Sequence, residues 1–89
     1  MFFKTFEFEF ETRRLMWYCP YGGSDFAEVQ STTEKITEKN YESWYIEWYK
    51  LGNRLITKKF NSSISKGKAY LRASRYFQAA EFFLSPKDD

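Results

Sequence analysis

The interior of this chain has to be built from rings. Twenty of its 89 residues are Phe, Tyr or Trp, whereas Leu, Ile and Val together supply ten. Aromatic side chains bury roughly 150 to 250 Å² each, and a chain this short makes one small domain that hides only about two-thirds of its unfolded surface. Some rings are therefore expected to stay outside, either scattered singly or gathered into a contiguous contact patch.

The chemistry open to such a chain is narrow. It contains no His and one Cys, so a Ser-His-Asp or Cys-His nucleophile, a disulfide framework and a Cys/His zinc cage cannot be assembled from its own residues. No cofactor and no metal is expected. The lone Cys19 suits a reducing compartment. No stretch approaches the roughly 20 apolar residues of a membrane span, and the first residues lack the basic and apolar regions of a secretory signal. The expected location is cytoplasmic, without membrane contact.

Net charge is +2 but unevenly placed: residues 1 to 47 carry nine acids and five bases, and residues 48 to 89 nine bases and three acids. Between Trp48 and Ala80 there are only cations, from Lys50 to Arg75. Such a run can bind phosphates. It can equally mark two halves that pack on each other, and this is favoured because no RNA-binding motif accompanies the charge.

Phe6-Glu7-Phe8-Glu9-Phe10-Glu11 alternates with the period of a half-buried strand. No partner strand is evident downstream, and the segment also fits an extended arm leading into a helix over about Glu9 to Tyr18. Cys19-Pro20-Tyr21-Gly22-Gly23-Ser24 breaks the chain. Ser24 or Asp25 caps the next helix, with Glu28 at capping-box distance from Asp25, and that helix is expected to fade between Ile36 and Lys39. Asn40 caps a third element, which carries Tyr41, Trp44, Tyr45, Trp48, Leu51, Leu55 and Ile56 as one helical stripe. Gly52 lies within it, where Gly costs about 1 kcal/mol relative to Ala, so a close neighbouring helix is expected there. Asn61-Ser62-Ser63 ends this element. Ser65 is expected to cap the last helix, whose seam is Ala69, Ala73, Tyr76, Ala80 and Phe83, and Ser85-Pro86 to stop it.

None of the chemical constellations is strong. Glu7, Glu9 and Glu11 read as a solvated face, since nothing nearby would raise a carboxyl pKa or hold a substrate. The Tyr21 to Asp25 turn reads as a cap, with no phosphate-loop lysine. Trp44 and Trp48 could stack on bases, but their spacing of four is that of a buried or protein-contacting face. Glu28 and Arg72 are expected to form a structural ion pair between helices, with a surface-exposed Arg72 as the alternative.

Tyr21-Gly22-Gly23-Ser24-Asp25-Phe26-Ala27-Glu28-Val29, then Glu42-Ser43-Trp44-Tyr45 with Trp48, then Lys68-Ala69-Tyr70-Leu71-Arg72-Ala73-Ser74 running to Leu84, resemble in that order the N-terminal helical region of a group of α/β hydrolases. These are relatives of the fermentation-respiration-switch type and of the pseudooxynicotine hydrolases, labelled dipeptidyl aminopeptidase-like or acylaminoacyl peptidase-like. The resemblance covers most of residues 8 to 84. It implies a cap or lid that precedes a catalytic domain, covers its active site and takes part in dimer contacts. In such enzymes catalysis comes from a serine on a nucleophile elbow, with an acid and a histidine later in the chain. This chain has neither a Gly-x-Ser-x-Gly nor a His.

The expectation is a mainly α protein, a small bundle of about three principal helices. Residues 1–10 are an extended arm or short helix, 11–84 the helical region and 85–89 a polar tail of one domain. The expected function is that of a chain that is not an enzyme, a lid-like module acting through protein contact or self-association. Trp44, Trp48, Tyr76, Phe82 and Phe83 are expected to be divided between core and contact surface. The expected partner is a second copy or a separate hydrolase catalytic chain. The alternatives are a nucleic-acid binder using Lys50 to Arg75, and a truncated hydrolase fragment without activity of its own.

Overall fold

The computed structural model describes residues 2–84. Four α-helices account for most of them: α1 (Phe6–Trp17), α2 (Phe26–Thr33), α3 (Tyr41–Thr57) and α4 (Ser63–Glu81), with a 3-10 turn at Cys19–Tyr21 between the first two. The fold is mainly α, with no strand among the described residues. The polar tail and the Ser85-Pro86 stop lie outside the described residues.

The alternating segment is helical, so of the readings left open for it the strand is set aside, and the helix begins at Phe6, earlier than about Glu9. Helix-spaced charge pairs hold it: Arg13 Nε donates to Glu9 Oε2 at 2.7 Å, four residues apart, and Arg14 Nη1 to Glu11 Oε2 at 3.1 Å, three apart. On a helix a period-2 pattern cannot present one face, because residues two apart diverge by about 200°. Phe8 therefore turns inward and is wholly buried, while Phe6 and Phe10 turn out.

The true arm is only residues 2 to 5, and two carboxylates fasten it. Glu9 Oε1 accepts the backbone N–H groups of Phe2 and Phe3, each at 2.8 Å. Glu38 accepts those of Lys4 and Thr5, each at 2.8 Å, and the Thr5 hydroxyl. The connection between α2 and α3 is drawn onto the arm in turn, Lys39 adopting φ +62° and donating its N–H to Thr5 Oγ1 at 3.1 Å.

Helix α2 ends at Thr33, short of the expected Ile36 to Lys39. Ser31 and Thr33 return their hydroxyls to the carbonyls of Glu28 and Gln30, the local competition that weakens helices rich in such residues. Asn40 caps α3, its Oδ1 accepting Ser43 N–H at 2.8 Å. Helix α3 stops at Thr57, before Asn61. Helix α4 is capped by Ser62 and not by Ser65, whose own N–H is the donor, at 3.1 Å.

Helices α3 and α4 form the central antiparallel pair. Contacts run in opposite order along them: Tyr41 meets Phe83, Trp44 N–H bonds the Ala79 carbonyl at 2.7 Å, and the Trp48 ring lies 5.8 Å from that of Tyr76. At Gly52 an added Cβ would stand 2.8 Å from the Phe77 ring, so the close approach inferred from this glycine is present. Ala69, Ala73, Ala79 and Ala80 are buried along α4, where small side chains admit the bulk of the tryptophans. Helix α1 closes the ring cluster, Phe8 stacking on Trp44 with centroids 4.6 Å apart and Phe3 meeting Phe8 edge-on at 5.3 Å.

Candidate functional site

Trp44, Trp48 and Tyr76 have no exposed surface; all three belong to the core. Their rings are thus unavailable to a partner or to a stacked base. Phe83 is half-buried against Phe8, Tyr41 and Trp44, and only Phe82, 47% exposed, stands on the surface. The five residues anticipated as divided between interior and contact surface fall almost wholly on the interior side.

Exposed rings occur on several elements, Tyr21 and Phe26 among them, and three of them share one stripe of α1. Phe6 and Trp17 are each 77% exposed and Phe10 is 53% exposed. At 100° per residue, Phe6, Phe10, Arg13 and Trp17 occupy an arc of about 60°. Phe6 stacks on Phe10 with centroids 6.1 Å apart. Three large rings on one outward stripe, with no described residue covering them, are unlike the isolated surface apolar residues common on monomers. Sequence reasoning missed this stripe because it left Phe6 to Glu11 open between a strand and an extended arm, with a helix starting only near Glu9. The signal was present in the pairs Glu9–Arg13 and Glu11–Arg14, whose spacing belongs to a helix.

A second constellation joins α2 to α4. Arg72 Nε and Nη2 donate to Glu28 Oε1 and Oε2 at 2.9 and 3.0 Å, a two-pronged pair whose side chains are each 22% exposed. Tyr76 Oη donates to Glu28 Oε1 at 2.8 Å and accepts the Asp25 N–H at 2.9 Å. Asp25 caps α2 through Glu28 N–H at 3.1 Å. The capping box expected from Asp25 and Glu28 is therefore closed by the tyrosine hydroxyl, inserted between the cap N–H and the Glu28 carboxylate. Burial, the nearby Glu28 charge and the bond to it raise the Tyr76 phenol far above its ordinary value. The hydrogen bond to Glu28 raises Arg72 in the same way. Every group here is satisfied by another, so the arrangement locks helices and leaves no free acid or base for chemistry.

The basic run is dispersed. Arg72 serves Glu28, Lys50 approaches Glu47 at 4.0 Å, Lys66 sits over the Tyr70 ring and Lys58 over that of Phe60. Arg75 sits over the Tyr18 ring, its guanidinium carbon 4.1 Å from the centroid. Among the described residues no helix is long and apolar enough to cross a membrane.

Over nine-tenths of its length the chain matches a segment of α/β hydrolases. The relatives are fungal: the Alpha/beta hydrolase psoB of Aspergillus fumigatus is 36% identical over 88 residues, which cover 93% of this chain and 20% of that protein. The Hydrolase LUC6 of a Fusarium species is 35% identical, covering 91% and 21%, and the Hydrolase acrC of Aspergillus aculeatus 30% identical, covering 99% and 22%. The chain thus spans about a fifth of the length of the curated relatives it matches. No family model matches it, and no solved structure matches it at comparable significance. The expectation of a chain that is not an enzyme is corrected by these relatives. The proteins that share its sequence are named hydrolases, and the 89 residues without histidine match only about a fifth of their length.

Proposed function

We propose that this chain is the helical cap of an α/β hydrolase, of the fermentation-respiration-switch and pseudooxynicotine hydrolase group, and that it packs on the catalytic domain of that enzyme through the aromatic stripe of α1. The observation that carries the reading is the outward stripe Phe6, Phe10 and Trp17, on a chain equivalent to about 20% of its hydrolase relatives. Four-fifths of such an enzyme lies beyond the matched segment, and a stripe of three exposed rings supplies the apolar core expected of an intramolecular interface. The cap contributes shape and water exclusion at the active site. The reacting side chains are those of the larger part. Where that part is missing, the same stripe draws two copies of this chain together.

The test is reconstitution. The Aspergillus fumigatus relative, with its matching segment deleted, is mixed with this chain and assayed for complex formation and for turnover of p-nitrophenyl esters. Complex formation with recovered turnover is expected from the natural chain. The Phe6→Ser/Phe10→Ser/Trp17→Ser variant is expected to lose at least tenfold in affinity while keeping its helical circular dichroism. Failure of the natural chain to bind, or undiminished binding by the triple variant, would overturn the reading.

A further inference from the structure

A cleft of about 110 Å³ opens between α1 and α4, lined by Glu11, Arg14, Tyr18, Arg75, Gln78 and Phe82 among others. Its charges do not balance. Glu11 is buried and takes Arg14 Nη1 at 3.1 Å, so these two cancel. Arg75 remains, half-buried, with no acid within salt-bridge distance among the described residues. Its Nη1 reaches only Gln78 Oε1 at a long 3.4 Å, and its shielded Nε has no partner. Arg13, Arg14 and Arg72 each have a carboxylate.

Arg75 is nevertheless held in place. The Tyr18 ring lies against its guanidinium, 4.1 Å from centroid to carbon, a cation–π contact. Tyr18 is positioned by the Gly22-Gly23 turn, where Gly22 takes φ +80° and a Cβ on Gly23 would stand 2.8 Å from that of Tyr18. A guanidinium fork set against a ring, in a cleft where no described acid balances its charge, suits a planar anion of single charge. Phosphate near neutrality carries more charge than one guanidinium can cancel. The Tyr18 and Phe82 rings offer an apolar wall beside the fork.

We propose that this cleft binds one carboxylate carried on a small apolar body, with Arg75 as the anchoring residue. This goes beyond the cap reading and does not depend on it. The experiment titrates the ¹⁵N-labelled chain with benzoate at constant ionic strength, with benzamide as the neutral isostere. Saturable shifts of the Arg14, Arg75, Gln78 and Phe82 amides are expected with benzoate, and at least tenfold weaker binding with benzamide. Arg75→Gln is expected to abolish the benzoate response, and Arg75→Lys to retain part of it. Equal responses to the two compounds, no saturable response to benzoate, or tighter binding of inorganic phosphate would overturn the proposal. So would an unchanged response in a folded Arg75→Gln. The benzoate and benzamide comparison decides on the natural chain should the variants fail to fold. A glutamate capped at both ends separates the two sources of the group. Binding tighter than benzoate assigns the site to an acidic side chain of a protein, and weaker binding assigns it to a free small acid.

Discussion

At Tyr76 a single hydroxyl joins two helices, accepting the Asp25 N–H and donating to Glu28 while Arg72 holds the same carboxylate. Removing it leaves the Asp25 N–H unmatched in a shielded place and takes from Glu28 Oε1 one of its two donors, the other being Arg72 Nε. Tyr76→Phe is therefore expected to lose about 1 to 3 kcal/mol of stability at neutral pH, read by urea denaturation. The sign of its pH dependence follows from the raised phenol. The unfolded chain ionises near the ordinary value of 10.0 while the folded one stays neutral. The contribution of the phenol is complete below pH 10 and is lost as pH rises beyond it. The natural chain is expected to lose stability more steeply above pH 10 than Tyr76→Phe, in paired denaturation series. Gly52 makes a second case at this scale. A methyl group there gains about 1 kcal/mol of helix propensity but meets the Phe77 ring at 2.8 Å. That ring, half-buried and packed against Tyr49 with centroids 5.4 Å apart, must shift to admit the methyl group. Gly52→Ala is expected to be destabilising by about 1 to 2 kcal/mol net, measured by thermal unfolding.

Among the elements, α1 owes its place to two glutamates that serve backbone and not solvent. At Glu9, burial alone would raise the carboxyl, but the Arg13 bond and the N–H groups of Phe3 and Phe2 outweigh it and hold it below the ordinary 4.5. At Glu38 the Thr5 hydroxyl and the N–H groups of Lys4 and Thr5 do the same. Both carboxylates therefore stabilise the fold fully above pH 4.5, and the benefit disappears as pH falls below that value. Amide exchange of Phe3 and Thr5 is expected to accelerate first on acidification, relative to the α3 and α4 core, and Glu9→Gln/Glu38→Gln to flatten that dependence. An unchanged acid profile in the double variant would remove these carboxylates from the account. The α3 stripe was legible in the sequence, since seven apolar residues at spacings of three and four admit no other periodic reading. The extent of α2 and the cap of α4 were not. Serines and threonines at 31 to 33 and at 62, 63 and 65 offer several competing local hydrogen bonds, and only packing selects among them.

On the scale of the whole molecule, the chain closes a ring-filled core and still leaves Phe6, Phe10 and Trp17 uncovered. Those three rings are expected to make the isolated chain self-associate in a manner insensitive to salt, since burial of apolar surface is not screened as charge is. Light scattering across a concentration series at low and high salt is expected to show this for the natural chain and a monomer for the Phe6→Ser/Phe10→Ser/Trp17→Ser variant. A monomer at every concentration would mean that the stripe is too small to hold two copies. The sequence by itself determined the helical class, the cap at Asn40 and the close approach at Gly52. Each of these follows from local spacing, local capping or composition, which one strand of text contains. Only the tertiary structure decided that the phenylalanine repeat is a helix, that Trp44 and Trp48 are interior, and that Tyr76 closes the cap of α2. It also left Arg75 without an acid among the described residues. Those outcomes depend on which surfaces meet, and residues 51 positions apart, such as Asp25 and Tyr76, meet only when the whole core has closed.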